Sequence, residues 1–94
     1  MSRTSAYRVQ IRTDSADENA LLLLADGQLV AILIELADES HGDLRGKWSV
    51  ETTFGLQHQR VPKNFASSAD AAFWVGNHIC QKPFFLDGQV LELN

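Results

Sequence analysis

The sequence is poor in residues that form cross-links. Its one cysteine, Cys80, excludes an internal disulfide, a cysteine-rich zinc site and a C-x-x-C redox pair, and we expect it to be a small buried side chain. The three histidines, His41, His58 and His78, lie far apart and lack the short spacings of zinc ligands. The acidic residues around His41 do not match a calcium-binding loop. We therefore expect neither a metal site nor a cofactor.

Long hydrophobic runs are also missing. The longest, residues 29–34, contains six residues, whereas about 18 or more are needed to cross a bilayer. The polar residues 1–6 have no apolar run behind them, so the pattern indicates neither a signal peptide nor a membrane anchor. We expect a cytoplasmic protein that has no contact with membranes.

Positive charge is scarce, with 8 Lys and Arg against 12 Asp and Glu and a net charge of -4. This balance argues against general nucleic-acid binding, which depends on neutralising phosphates. One basic segment, residues 57–64, contains His58, Arg60 and Lys63 followed by Phe65, and these residue types can contact a phosphate or a single strand. The alternative is an ordinary loop in which Phe65 packs against the following helix. His58, Arg60 and Lys63 are therefore the candidate ligand-binding residues.

Enzyme motifs are absent as well. There is no G-x-S-x-G elbow, phosphate-binding G-x-x-x-x-G-K-[ST] loop or dinucleotide-binding G-x-G-x-x-G turn. His78 and Cys80 are two residues apart, so on a helix they point to different sides. The sequence favours a non-enzymatic protein without catalytic residues. An enzyme that acts on a small molecule with His58 or His78 as acid/base is the alternative.

Apolar residues make up 45% of the chain and charged residues 21%, as in folded soluble domains. The length fits one domain, residues 1–94, in which we expect residues 1–5 to be disordered. The strongest local signal is Asp26-Gly27 between two apolar runs, which predicts a hairpin with a type I′ turn. This turn places Leu24 opposite Leu29, and an unbroken ladder then places Leu23 opposite Val30.

Other segments complete the prediction. Residues 7–13 alternate as a strand, with Tyr7 on the apolar side. Residues 38–46 predict a long mobile loop, and residues 47–54 a fourth strand with Trp48 and Phe54 toward the core. Ser67 can cap a helix that runs to about Cys80. The fold class is therefore α+β: an antiparallel meander of about four strands, one helix on one face, and then a short C-terminal hairpin, around Asp87-Gly88, or a strand.

The central hairpin is apolar on both of its faces. The unbroken ladder assigns Leu22, Leu24, Leu29, Ala31 and Leu33 to one face and Leu21, Leu23, Val30, Ile32, Ile34 and Leu36 to the other. One helix cannot cover both faces of the sheet. We therefore predict a homodimeric binding or accessory module, able to bind a further protein, with Leu22, Leu24, Leu29 and Leu33 in the interface.

The sequence also indicates which polar residues surround that interface and what else could cover the same face. The expected neighbours are the polar side chains of the outer strands, Arg8, Arg12, Lys47 and Glu51. Alternatively, a C-terminal hairpin carrying Phe84 and Phe85 folds over the same face and leaves the protein monomeric.

Overall fold

The computed structural model describes residues 4–12, 17–54, 61–62, 64–80 and 90–92. They form a five-stranded sheet in the order β4-β3-β2-β1-β5. The strands are β1 (Thr4–Gln10), β2 (Asn19–Ala25), β3 (Gln28–Glu35), β4 (Trp48–Thr53) and β5 (Val90–Glu92), and the helix is α1 (Ser68–Val75). The first four strands form an antiparallel meander with the helix packed on it. The predicted α+β fold is confirmed.

The β2–β3 turn has the predicted geometry. Asp26 and Gly27 have φ angles of 53° and 81°, the left-handed pair that a type I′ turn requires. Leu24 pairs with Leu29, so the sequence prediction is confirmed at the turn itself.

Gly27→Val should destabilise the protein by about 1 kcal/mol or more, because a β-branched side chain is strained at positive φ. No atom lies within 4 Å of a Cβ built at Gly27, so the cost would come from the backbone alone. Gly27→Asn is the matched control, since asparagine tolerates this conformation. Urea unfolding measures the difference, and equal stability of the two variants would argue against the turn assignment.

A β-bulge changes the pairing beyond the turn. Leu23 pairs with Ala31 rather than Val30, so Val30 is an extra residue on β3. Leu21 then pairs with Leu33, and both lie under the helix. The predicted face assignment was therefore wrong for β3 from Ala31 onward, whereas Val30 packs against the same core as Leu21 and Leu23, as predicted.

A second irregularity lies in β4. Leu33 pairs with Val50 and Ile32 with Thr52, which makes Glu51 the extra residue. Trp48 and Val50 pack against the core as predicted. The predicted core position of Phe54 was wrong, because its side chain is 47% exposed.

The connection between β3 and β4, predicted as a loop, contains regular secondary structure. Glu39–Leu44 forms a short 3₁₀ helix interrupted by a kink at Gly42. The Asp38 carboxylate caps it by accepting the Ser40 amide hydrogen. The loop prediction was wrong because Asx capping and contacts distant in sequence stabilise this polar segment.

The helix begins where the sequence predicts. The Ser67 hydroxyl accepts the Asp70 amide hydrogen at 3.1 Å, and Val75 is followed by a π-helical turn over Gly76–Cys80. The core is formed by small helix residues and aliphatic strand residues: Ala6, Leu21, Leu23, Ala31, Leu33, Ala71, Ala72 and Val75. Trp48 and Trp74 pack against it, as expected. The side chain of Cys80 lies outside the described part.

Both ends of the chain contribute to one sheet edge. Thr4 and Ser5, expected to be disordered, belong to β1, and β5 pairs with β1 in parallel. The C-terminal prediction is met by a strand, and the hairpin proposed around Asp87-Gly88 lies outside the described residues. Within the described part of the chain, no helix has the length and apolar character needed to cross a membrane.

Candidate interaction surface

Among the paired residues of the described meander strands, no charged side chain lies on the sheet face opposite α1. The pairing places a row of Tyr7, Leu22, Ile32 and Thr52 across four strands. We name this surface the charge-free face. It consists of Ser5, Tyr7, Val9, Ala20, Leu22, Leu24, Leu29, Ile32, Ile34, Ser49 and Thr52.

The charged side chains at paired positions, Arg8 on β1 and Glu35 on β3, lie on the other side of the sheet. Arg8 pairs with the core residue Leu21, and Glu35 pairs with Trp48. The side that packs against the helix therefore carries the polar margin, and the opposite side is apolar with hydroxyl groups at its edges. In a typical antiparallel sheet with one face on the core, by contrast, the opposite face carries polar residues.

The charge-free face is partly accessible to water. Tyr7, Leu22 and Ile32 are half-buried, and Leu29 is 36% exposed. Ala20 and Ile34 are buried, but neither belongs to the core beneath the helix. The face thus leaves large apolar side chains in partial contact with water, which is typical of interaction surfaces.

Three of the four predicted interface residues lie on this face: Leu22, Leu24 and Leu29. The placement of Leu33 was wrong, because the bulge at Val30 turns its side chain into the core, where it is fully buried. Ile32 occupies the face instead. A bulge has no reliable signature in a run of apolar residues, so the sequence carried no signal for this exchange.

The neighbours contributed by the outer strands also differ from the prediction. β1 contributes Tyr7 and Val9 in place of Arg8, and β4 contributes Ser49 and Thr52. Tyr7 and Val9 follow the predicted alternation, but their side points away from the helix. Arg8 therefore does not belong to this surface.

The candidate ligand-binding residues His58, Arg60 and Lys63 lie outside the described residues, so that prediction remains a prediction. The structure does place His78. Its Nδ1–H donates to the Trp74 carbonyl oxygen at 3.0 Å, and its ring stacks on the Trp74 indole at 4.5 Å. His78 therefore supports the end of the helix, and nothing in this geometry favours an acid/base role.

A cluster of polar groups joins two loops at one end of the sheet. One oxygen of the Asp17 carboxylate accepts the amide hydrogens of Ala37 at 2.6 Å and Asp38 at 2.8 Å. The other oxygen lies 2.6 Å from His41 Nε2. This clasp, formed by Asp17, His41 and the two amides, fixes the start of the 3₁₀ helix. Sequence reasoning missed it because its partners are 20 to 24 residues apart.

The clasp shifts the titration of its carboxyl group. Partial burial raises the pKa of Asp17, but hydrogen bonds from His41, Ala37 and Asp38 and the nearby imidazole lower it by more, so that the pKa lies below the ordinary value of aspartate. At pH values above the ordinary pKa of aspartate, the ionised Asp17 carboxylate therefore stabilises the folded state. This contribution disappears as the pH falls through the lower pKa of the folded state.

Asp17→Ala should cost about 2 kcal/mol at neutral pH, because two partly buried amides and one imidazole lose their acceptor. The difference from the parent protein should shrink on acidification below about pH 4. Urea unfolding at several pH values measures it, with Asp43→Ala, an exposed carboxylate of the same 3₁₀ helix, as the control. Equal stability of both variants at neutral pH would show that the clasp contributes nothing.

A shallow cavity of about 430 Å³ adjoins the clasp. Its lining is mostly backbone and small side chains, with charged groups at the margin: Glu35, Leu36, Ala37, Gly42, Arg45 and Gly46. Within the described ranges, no group of three or more His, Cys, Asp or Glu side chains could hold a metal ion. The cavity offers one charge of each sign and no ligand-specific arrangement.

The charge-free face is thus the feature that most needs a functional explanation. Comparison with protein-family models, curated proteins and solved structures finds no match for this chain.

Proposed function

We propose that the protein is a small non-enzymatic binding module whose working state is a homodimer. The observation that carries this proposal is the charge-free face, which presents half-buried aliphatic and aromatic side chains on a sheet with its helix on the opposite side. Homodimer interfaces are more apolar than other protein surfaces and have few charges at their centre.

The charge distribution favours a second copy as the partner. Each chain has a net charge of -4, so two copies repel each other over most orientations. The charge-free face is a surface on which two identical chains meet without opposing like charges. A two-fold contact also allows one patch to complement itself.

Sedimentation velocity of the parent protein at tens of micromolar tests the proposal. We expect a species of about twice 10.4 kDa that dissociates on dilution. A monomer throughout this range would overturn the proposal and favour cover of the face by the chain's own C-terminal segment.

A further inference from the structure

The connection between β3 and β4 has no buried side chain to hold it in place. None of residues 36–47 is buried, whereas Leu21, Leu23 and Leu33 of β2 and β3 are almost completely buried. Segments with few buried apolar contacts can open without unfolding of the whole domain. We propose that residues 37–45 open as one unit while the sheet stays folded, and that the Asp17 carboxylate is the latch that holds this unit closed.

The 37–45 unit ends where the pairing of β3 with β4 begins. Leu36 donates its amide hydrogen to the Lys47 carbonyl oxygen at 2.8 Å, and the Leu36 carbonyl oxygen accepts the Gly46 amide hydrogen at 2.6 Å. These bonds continue the antiparallel pairing of Glu35 with Trp48. The base of the connection therefore belongs to the sheet, and opening of the unit can stop there.

The backbone hydrogen bonds inside the unit join residues that are close in sequence. The amide hydrogens of His41 and Arg45 bind the carbonyl oxygens of Asp38 and Gly42 at 3.0 and 3.2 Å. The Ser40 amide hydrogen binds the Asp38 carboxylate at 2.9 Å. Such bonds form one turn of the chain and are lost together when that turn opens, because each depends on the same few backbone angles.

The clasp joins the unit to a distant part of the fold. Asp17 lies outside the unit, and its carboxylate accepts hydrogen bonds from the Ala37 and Asp38 amides and contacts the His41 imidazole. All three contacts end on one ionised side chain, so opening breaks them in a single step, and hydrogen bonds to a charged acceptor are stronger than neutral ones. The cavity beside the clasp is lined by the unit and by its base, so its shape depends on the closed state.

Native-state hydrogen exchange of the whole protein, measured by NMR in urea below the unfolding transition, tests this proposal. We expect the Ala37 and Asp38 amides to exchange faster than the slowest amides of β2. Their exchange should depend only weakly on urea, because local opening exposes little surface. Equal urea dependence of the two groups would show that the connection opens only by global unfolding, and would overturn the proposal.

Variants distinguish the latch from the core. Asp17→Asn keeps the shape of the side chain but removes its charge, and should speed exchange of the Ala37 and Asp38 amides by about tenfold. Val75→Ala, in the buried core, should speed exchange of the β2 amides by about tenfold or more and leave those of Ala37 and Asp38 unchanged.

Asp43→Asn is the matched control, because Asp43 is an exposed carboxylate of the same unit and its replacement should exchange as the parent protein does. If Asp17→Asn also exchanges as the parent does, the carboxylate is not the latch. If Val75→Ala speeds exchange at Ala37 and Asp38 as much as in β2, the unit does not open independently of the sheet.

Discussion

Leu33→Glu should unfold the protein, whereas Ile32→Glu, one residue earlier in β3, should leave it folded and monomeric. Leu33 is fully buried beneath the helix, and an unpaired carboxylate there costs several kcal/mol, a large share of the 5–15 kcal/mol typical of a domain. Ile32 is half-buried on the charge-free face, where a glutamate can reach water. In the proposed dimer, however, this glutamate would place a charge in the apolar interface.

Circular dichroism and sedimentation together measure the two effects. We expect a loss of cooperative unfolding for Leu33→Glu, and a normal melt at half the parent mass for Ile32→Glu. Gln10→Glu is the control, because Gln10 is exposed on the helix side of β1 and its replacement should remain dimeric. A folded Leu33→Glu protein would contradict the bulge at Val30, and a dimeric Ile32→Glu protein would contradict the interface.

Trp48→Ala should destabilise the protein by about 3 kcal/mol, within the range for large-to-small replacements in a core. The Trp48 side chain packs against the core cluster, while its backbone holds Phe65 at the edge of β4. Phe65 in turn lies 6.2 Å from Trp74, between ring centroids. Removing the indole therefore leaves a cavity beside the aromatic contacts that join β4 to the helix.

Trp48→Phe is the matched variant, because it keeps an aromatic ring and should recover most of the lost stability. Urea unfolding, followed by circular dichroism to avoid the change in tryptophan number, measures both variants. If Trp48→Ala unfolds at the parent urea concentration, the assignment of Trp48 to the shared core is wrong.

The sequence predicts features that depend on neighbouring residues. Asp26 and Gly27 specify the turn because few residue pairs tolerate positive φ at both positions. Ser67 specifies the helix start because its hydroxyl accepts a backbone amide hydrogen of the first turn that has no acceptor within the helix. The alternation of side chains along β2 is by itself enough to place Leu22 and Leu23 on opposite faces of the sheet.

Features that depend on distant residues could not be predicted. The bulge at Val30 reverses which side chains of β3 face the core. The register with the bulge and the regular register without it bury a comparable number of aliphatic side chains. The 3₁₀ helix depends on Asp17, which precedes β2 in the sequence, so that both β2 and β3 lie between Asp17 and the helix. For the candidate site, β2 and Leu29 were therefore placed correctly, and β3 from Ala31 onward was not.

The bulge also marks a position at which the length of the chain can change. Val30 is inserted between two pairs, Leu24 with Leu29 and Leu23 with Ala31. Deleting it would join these pairs into a regular ladder and leave every other side chain on its present face. Deletion of Ile32 or Leu33 would instead exchange core and surface along the rest of β3. A one-residue deletion at Val30 is thus a route by which this hairpin could shorten during evolution, at the cost of the packing of one valine.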